Sequence, residues 1–337
     1  MIKEDNTGNK TLVIGGAGYI GSVLVRKLLG QSEEVTVLDK LIYGNGSSVS
    51  GLMDNPSFSF IHGDFADDAT LERALQGVKN VVLLAALVGD PICKKYPELA
   101  QKTNLDAPVK LLEVLKGRGI DRFVFTSTCS NYGLIEGDEL ADEEFALNPQ
   151  SLYARTKVEY EKHILSRVDE LDLSPTILRL STAFGDSERM RFDLSISDFT
   201  RQLAIGQELL VYDEKTWRPY CHTRDISDTI IRVINAPAEM VSGQVFNVGT
   251  GTNNYTKQMI VDLVRKHIPE AKISYHSGDS DPRNYRVDFK KLRETLRWEP
   301  VISADEAVKN LIAAIHNHLY DDYEQRKNFY GNYEIIQ

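Results

Sequence analysis

Cationic charge is scarce in this 337-residue chain: 39 lysines and arginines face 49 aspartates and glutamates, a formal net charge of -10. That balance opposes binding to nucleic acid or to an anionic membrane and leaves room only for a local basic pocket. Cysteine is also scarce. Cys93, Cys129 and Cys221 have neither disulfide nor metal-ligand spacing, so a reducing cytoplasm is the expected setting. The seven histidines form no H-E-x-x-H or comparable cluster, and no metal site is expected. No apolar run reaches the length of a membrane span. The polar start, MIKEDNTGNK, lacks the apolar core of a signal peptide and reads as a loose arm. What is left, 42% hydrophobic and 26% charged, is the composition of a soluble globular chain. Its length allows one large domain with an appendage, or two domains.

The informative stretch begins at TLVIGGAGYIGSVLVRKLLG. Thr11 to Ile14 form a short apolar run of strand type, and Gly15, Gly18 and Gly21 follow at G-x-x-G-x-x-G spacing. Val23, Leu24, Lys27 and Leu28 then keep helical periodicity. A strand, a glycine turn and a helix start make a dinucleotide-binding fingerprint, because glycines let the backbone approach a pyrophosphate and free N–H groups at a helix start bind the anion. A second strand, Val35 to Leu38, ends in Asp39, where a ribose-binding acid is expected. A carboxylate there accepts from a ribose 2′-OH and repels a 2′-phosphate, which favours NAD over NADP.

Further strands are expected at Ser57–Ile61, Val81–Ala86, Arg122–Ser127 and Pro175–Leu180. DDATLERAL carries a helix start with a capping acid, and a long helical pattern from about Glu98 to Lys116 is interrupted by Pro108. Alternating apolar strands and helices predict an α/β fold, a Rossmann-type doubly wound parallel sheet with a smaller α/β substrate-binding lobe. Ligands in such sheets gather at the C-terminal strand ends, where Thr128 lies. In SLYARTK, entered through Asn148, Pro149 and Ser151, Tyr153 and Lys157 share one helix face. A nearby ammonium stabilises a phenolate, so the pair is a candidate proton-transfer couple near neutral pH. Beyond residue 180 the regular alternation loosens. Residues 186–197 read as an arginine-bearing loop, and the tail LYDDYEQRKNFYGNYEIIQ is rich in tyrosine and charge.

GGAGYIG, Asp39, the HGD turn with Asp64, FTSTCSNYG and SLYARTK occur in the order that resembles extended short-chain dehydrogenase/reductases. Downstream, WRPYCHTRDISD, QVFNVGTGTNNYT and DPRNYRVDFKKLRETLRWEP resemble later motifs of the nucleotide-sugar branch, which includes UDP-galactose 4-epimerase, 4,6-dehydratases and 4-ketoreductases. The resemblance implies a homodimeric NAD enzyme whose Thr128, Tyr153 and Lys157 serve oxidation of a sugar carbon to a transient 4-keto sugar. It implies a cofactor site made of Gly15, Gly18, Tyr19, Ile20, Gly21, Asp39, Asp64, Phe65, Tyr153 and Lys157. Thr128, Thr182, Arg191, Arg218, Arg283 and Tyr285 are the implied substrate contacts for a nucleotide-diphosphate sugar, with Arg189 also in the arginine-bearing loop. The expected division is 1–180 mainly for NAD, 181–320 mainly for the sugar nucleotide but interleaved with the sheet, and a 321–337 tail. Dimers in this family pair the helix after the fourth strand with the Tyr–Lys helix, and Val109, Leu112 and Leu115 permit that contact but read equally well as core.

Two departures bear on the reaction. Family dehydratases carry Asp then Glu directly after the catalytic Thr, and this chain has Cys129 and Ser130. That favours epimerisation, with a 4-keto-sugar reductase as an alternative and a dehydratase or C5 epimerase using Cys129 as another. Thr182 stands where relatives have a substrate-binding Asn. A non-enzymatic NAD sensor or scaffold is the reading from outside catalysis.

Overall fold

A computed structural model describes residues 9–276 and 283–336. The expected loose arm therefore lies outside the described residues except for its end, as do Asp281 and Pro282 of the DPRNY motif. Seven strands form the central sheet: β1 (Lys10–Ile14), β2 (Glu34–Asp39), β3 (Phe58–His62), β4 (Asn80–Leu83), β5 (Arg122–Thr128), β6 (Ser174–Leu180) and β7 (Gln244–Val248). Their order is β7-β6-β5-β4-β1-β2-β3, and every pairing is parallel. The apolar runs follow from burial on both faces. Leu12, Ile14, Leu83, Phe123 and Phe125 enter one core, while the alternate residues Val13, Val82 and Val124 enter the other. Helices α1 (Tyr19–Gly30) and α3 (Thr223–Asn235) cover the second core; α2 (Leu152–Leu165) and the helix Ala107–Leu115 cover the first.

The expected strand over 81–86 stops at Leu83. Beyond it, the N–H groups of Leu84 and Ala85 both donate to Ile14 O, at 2.9 and 2.8 Å. The chain leaves the sheet there, over the glycine turn. Pro108 does not break its helix. A π-helical segment, Lys102–Asp106, joins the flanking α-helices and absorbs the missing N–H. Within it, Asn104 accepts from Leu87 N–H at 2.8 Å and donates to Leu87 O at 3.0 Å, which fastens the loop after β4. Leu112 and Leu115 are fully buried in the first core. Of the two readings of these side chains, dimer contact or core, the core one describes both.

Small sheets carry the second lobe. The strand Trp217–His222 pairs with Thr182–Phe184 and with Asn254–Thr256, so Arg218 and Thr182 sit on neighbouring strands. The tail turns back onto its own chain. Tyr323, Phe329 and Tyr330 pack with Phe192 and Tyr19, and Phe192 meets Tyr320 and Tyr323 edge-on.

Behind the C-terminal end of β5 lies a buried polar cluster. Arg179 on β6 donates from Nη2 and Nε to Glu161 on α2 at 2.8 and 3.1 Å, with both side chains almost fully buried. Glu161 also accepts from Ser127 and, at 2.8 Å, from Asn131. Arg179 reaches Tyr132 at 3.0 Å, whose hydroxyl donates to Asn247 at 2.7 Å. β5, β6, β7 and α2 are thereby tied at one point. Removing one partner of such a pair strands a buried charge and costs about 3–5 kcal/mol. Arg179→Met should lower unfolding stability by about that much in urea titration, and adding Glu161→Leu should recover most of the loss.

Candidate active site

The C-terminal edges of β1, β2, β4 and β5 open into a cavity of about 800 Å³. Its floor is the glycine turn. Gly15 has φ +88°, and a Cβ there would lie 2.6 Å from Ala85 N; a Cβ on Gly21 would lie 2.4 Å from Gly15 O. Both positions therefore require glycine for the turn to close under the helix. The first turn of α1 has no side-chain cap and opens on this cavity through Gly18, Tyr19, Ile20 and Gly21. The arrangement fits the phosphates of a dinucleotide.

Asp39 closes one end. Its carboxylate accepts from Ala17 N–H at 3.0 Å and Leu41 N–H at 2.8 Å. Burial raises its pKa above the ordinary aspartate value against those two donors. Asp64 accepts from Ala66 N–H at 2.9 Å and pairs with Lys40 at 3.0 Å, so Lys40 is drawn away from Asp39. Both acids and Phe65 line the cavity.

Thr128, Tyr153 and Lys157 line the other end. Ser151 caps α2 by accepting from Ala154 N–H at 3.2 Å, which sets the helix start two residues before Tyr153. The Lys157 ammonium donates to Thr126 O at 2.8 Å and lies 4.6 Å from the centre of the Phe125 ring and 5.9 Å from that of Tyr153. Burial draws its pKa down from 10.5 to about 7, against the opposing pull of Glu161. Burial, with Cys93 and Asp90 nearby, pushes the Tyr153 phenol above its ordinary value. The expected depression by Lys157 does not emerge: Arg191 is the neighbour that lowers the phenol, desolvation outweighs it, and the phenol of the free protein holds its proton. Thr128 Oγ1 accepts from Ser130 N–H at 3.1 Å, so its own O–H is available to the cavity.

The structure does not bring Cys129 into this cavity. Its Sγ donates to Arg179 O at 3.2 Å among Tyr132, Ile135, Tyr285 and Phe289, and burial pushes the thiol far above its ordinary pKa. A thiol so placed does not serve as acid or base. Ser130 occupies the cavity wall instead, 3.2 Å from the Tyr285 hydroxyl. Arg283 pairs with Asp90 at 3.1 Å, Arg218 donates to Trp217 O at 2.7 Å and lies 5.1 Å from the Tyr285 ring centre, and Thr182 lines the wall beside them. Arg191 lines the same cavity and is gripped by Asp193 at 2.9 and 2.6 Å. Asp90, Asp193, Glu161 and the tail residues Asn332, Tyr333 and Ile335 were missed in the sequence. Asp90 and the tail residues lie far along the chain from their partners, while Asp193 and Glu161 are near theirs but carry no recognisable pattern.

Comparison with known proteins agrees with this geometry. The profile of the NAD dependent epimerase/dehydratase family matches residues 11–249. The low-salt glycan biosynthesis protein Agl12 of Haloferax volcanii is 29% identical over 92% of this chain and 99% of its own. Among solved structures, UDP-glucose 4-epimerase of Thermotoga maritima with UDP-glucose superposes with a TM-score of 0.82, 26% identity and coverage of 92% and 99% of the two chains. The dTDP-glucose 4,6-dehydratase of Bacillus anthracis in complex with NAD gives 0.81 and 25%, over 94% and 98%.

Two outcomes test the site. Cys129→Ala should leave turnover unchanged, and Cys129 should resist alkylation while the chain is folded. The unfolded chain binds more protons at Lys157 than the folded one between about pH 7 and 10.5. Lys157→Met should therefore stabilise the NAD-free protein most at or below pH 7, with the gain shrinking as pH approaches 10, in thermal melts.

Proposed function

The chain belongs to the NAD-dependent epimerase/dehydratase family, and on that premise we propose that it epimerises a nucleotide-diphosphate hexose through a transient 4-keto sugar. NAD, when bound, supplies reversible hydride transfer, and the protein supplies position and charge. Gly15, Gly18, Tyr19, Ile20, Gly21, Asp39, Asp64 and Phe65 are the residues proposed to hold it. Tyr153, protonated in the free protein, would release that proton to solvent as the positive charge of Lys157 and of bound oxidised cofactor favours the phenolate, then take the proton of the sugar hydroxyl and later return it. Thr128 orients the same oxygen through its free O–H. Lys157, fixed by Thr126 O, places an ammonium near the phenol and would bind the cofactor ribose. Arg218 and Arg283, beside Tyr285, suit the diphosphate of the sugar nucleotide, since a guanidinium fork matches phosphate oxygens. Thr182 faces the sugar. The UDP-glucose in the Thermotoga structure supports that substrate class.

One observation carries epimerisation over dehydration. Next to Thr128 the cavity wall offers the hydroxyl of Ser130, while Cys129 faces the core. No carboxylate at those two positions can draw a proton from the sugar ring. An epimerase needs none there, because the keto sugar only turns over and is reduced again.

Wild-type protein should therefore interconvert hexoses on a panel of UDP-, GDP-, CDP- and dTDP-sugars, followed by NMR, with no added reductant. Tyr153→Phe should lower turnover by about 10²–10⁴, the range for loss of a general acid–base, with NAD content unchanged. Stoichiometric consumption of added NADH would instead mark a ketoreductase.

A further inference from the structure

The tail contributes to the cavity wall. Asn332, Tyr333 and Ile335 line it together with Gly15, Gly18, Asp39 and Tyr153. The segment is tied on both sides of the opening. Ile336 N–H donates to Ile42 O at 2.8 Å, just after β2, and Asn332 Nδ2 donates to Val88 O at 3.0 Å, after β4. Asn332 N–H reaches Asp193 at 3.3 Å in the second lobe. Glu334 accepts from Lys95 and, at 2.9 Å, from Tyr96. Ile335 packs beside Leu152 and Tyr153. The chain thus crosses the cleft between the Asp39 end and the Tyr153 end.

Arg189 lies under this crossing. It is 2% exposed, donates to Gly331 O at 3.0 Å and stacks 4.8 Å from the Tyr43 ring centre. Its charge reaches Asp39 and Tyr43, while that of Arg191 reaches Tyr19, Tyr43 and Tyr153. Both guanidiniums line the same cavity as the glycine turn, with Asp193 offsetting one of them. Among the described residues Tyr43 Oη and Asn328 Nδ2 have no hydrogen-bond partner, and neither do Arg189 Nε, a donor, and Asn332 Oδ1, an acceptor. Asn332 is 8% exposed, so these last two groups are buried and unsatisfied. Buried polar groups without partners carry a large desolvation cost, which a ligand at that place removes.

We propose that Arg189 and the tail segment 328–336 form a clamp over the diphosphate bridge of bound NAD, so that the cofactor exchanges only when the tail lifts. A diphosphate is the ligand chemistry that suits a half-satisfied guanidinium in the same cavity as a helix N-terminus. The clamp adds a second jaw to the glycine turn. It rests on NAD binding alone and is independent of what happens to the sugar.

The test uses full-length protein filled with NAD, gel-filtered and chased with an excess of isotopically labelled NAD in the absence of any sugar. Wild type should retain nearly stoichiometric NAD and exchange it slowly. Arg189→Met and, separately, Asn332→Ala should each speed exchange at least tenfold, and Arg189→Lys should restore part of the retention. Exchange within twofold of wild type in both variants overturns the proposal. Faster exchange in Arg189→Met alone overturns the part assigned to the tail. If Arg189→Met fails to fold, Asn332→Ala decides the outcome. Because no sugar is present, failure of the epimerase reading would leave this result unchanged.

Discussion

The Glu161–Arg179 ion pair is the contact on which the site's geometry depends. Glu161 sits one helical turn beyond Lys157, so the pair fixes the rotation of the helix that presents Tyr153 and Lys157. Through Ser127 and Asn131 the same carboxylate holds the strand end that presents Thr128. Through Tyr132 and Asn247 it reaches the outermost strand of the sheet. A buried pair is weak evidence for stability in itself, because desolvation offsets much of its attraction. Here it has a positional consequence: three side chains from two elements converge because one carboxylate accepts from three directions.

Burial governs the electrostatics of the cleft. It lowers the ammonium of Lys157, raises the phenol of Tyr153 and raises the carboxyl of Asp39. Each shift disfavours the charged form, as desolvation does. The cations are managed by pairing. Asp193 grips Arg191, Asp90 meets Arg283, and Arg218 is held by backbone carbonyls. An overall acidic protein thereby gathers arginines along one cavity while holding their charge in pairs.

Much of the fold was legible because it is written in local patterns. The apolar strands alternate between two cores, and that double burial is why they read as continuous hydrophobic runs. The glycine spacing, Asp39 and the Tyr153–Lys157 interval are short-range signals with direct physical meanings. What stayed hidden depends on direction or on distance along the chain. Cys129 and Ser130 are neighbours, yet one faces the core and the other the cavity, because the backbone turns after β5. Arg189 and Arg191 read as a sugar-binding loop, while the position of Arg189 against Tyr43 and the tail arises from contacts across a separation of 142 residues to Gly331 and a similar one to Tyr43. The tail read only as a stretch rich in tyrosine and charge, with no local pattern to give its place. Pro108 interrupted a helical pattern that a π-helical segment repairs, and periodicity alone does not reveal that repair.

The central claim is that oxidation and reduction occur at the same sugar carbon within one enzyme-bound cycle. It is tested most directly with a nucleotide hexose deuterated at C4 and followed to its product by NMR. The account predicts a C4 epimer that keeps its deuterium, formed without net change in reduced cofactor. Loss of deuterium from C4, or its appearance in free NADH, would contradict it.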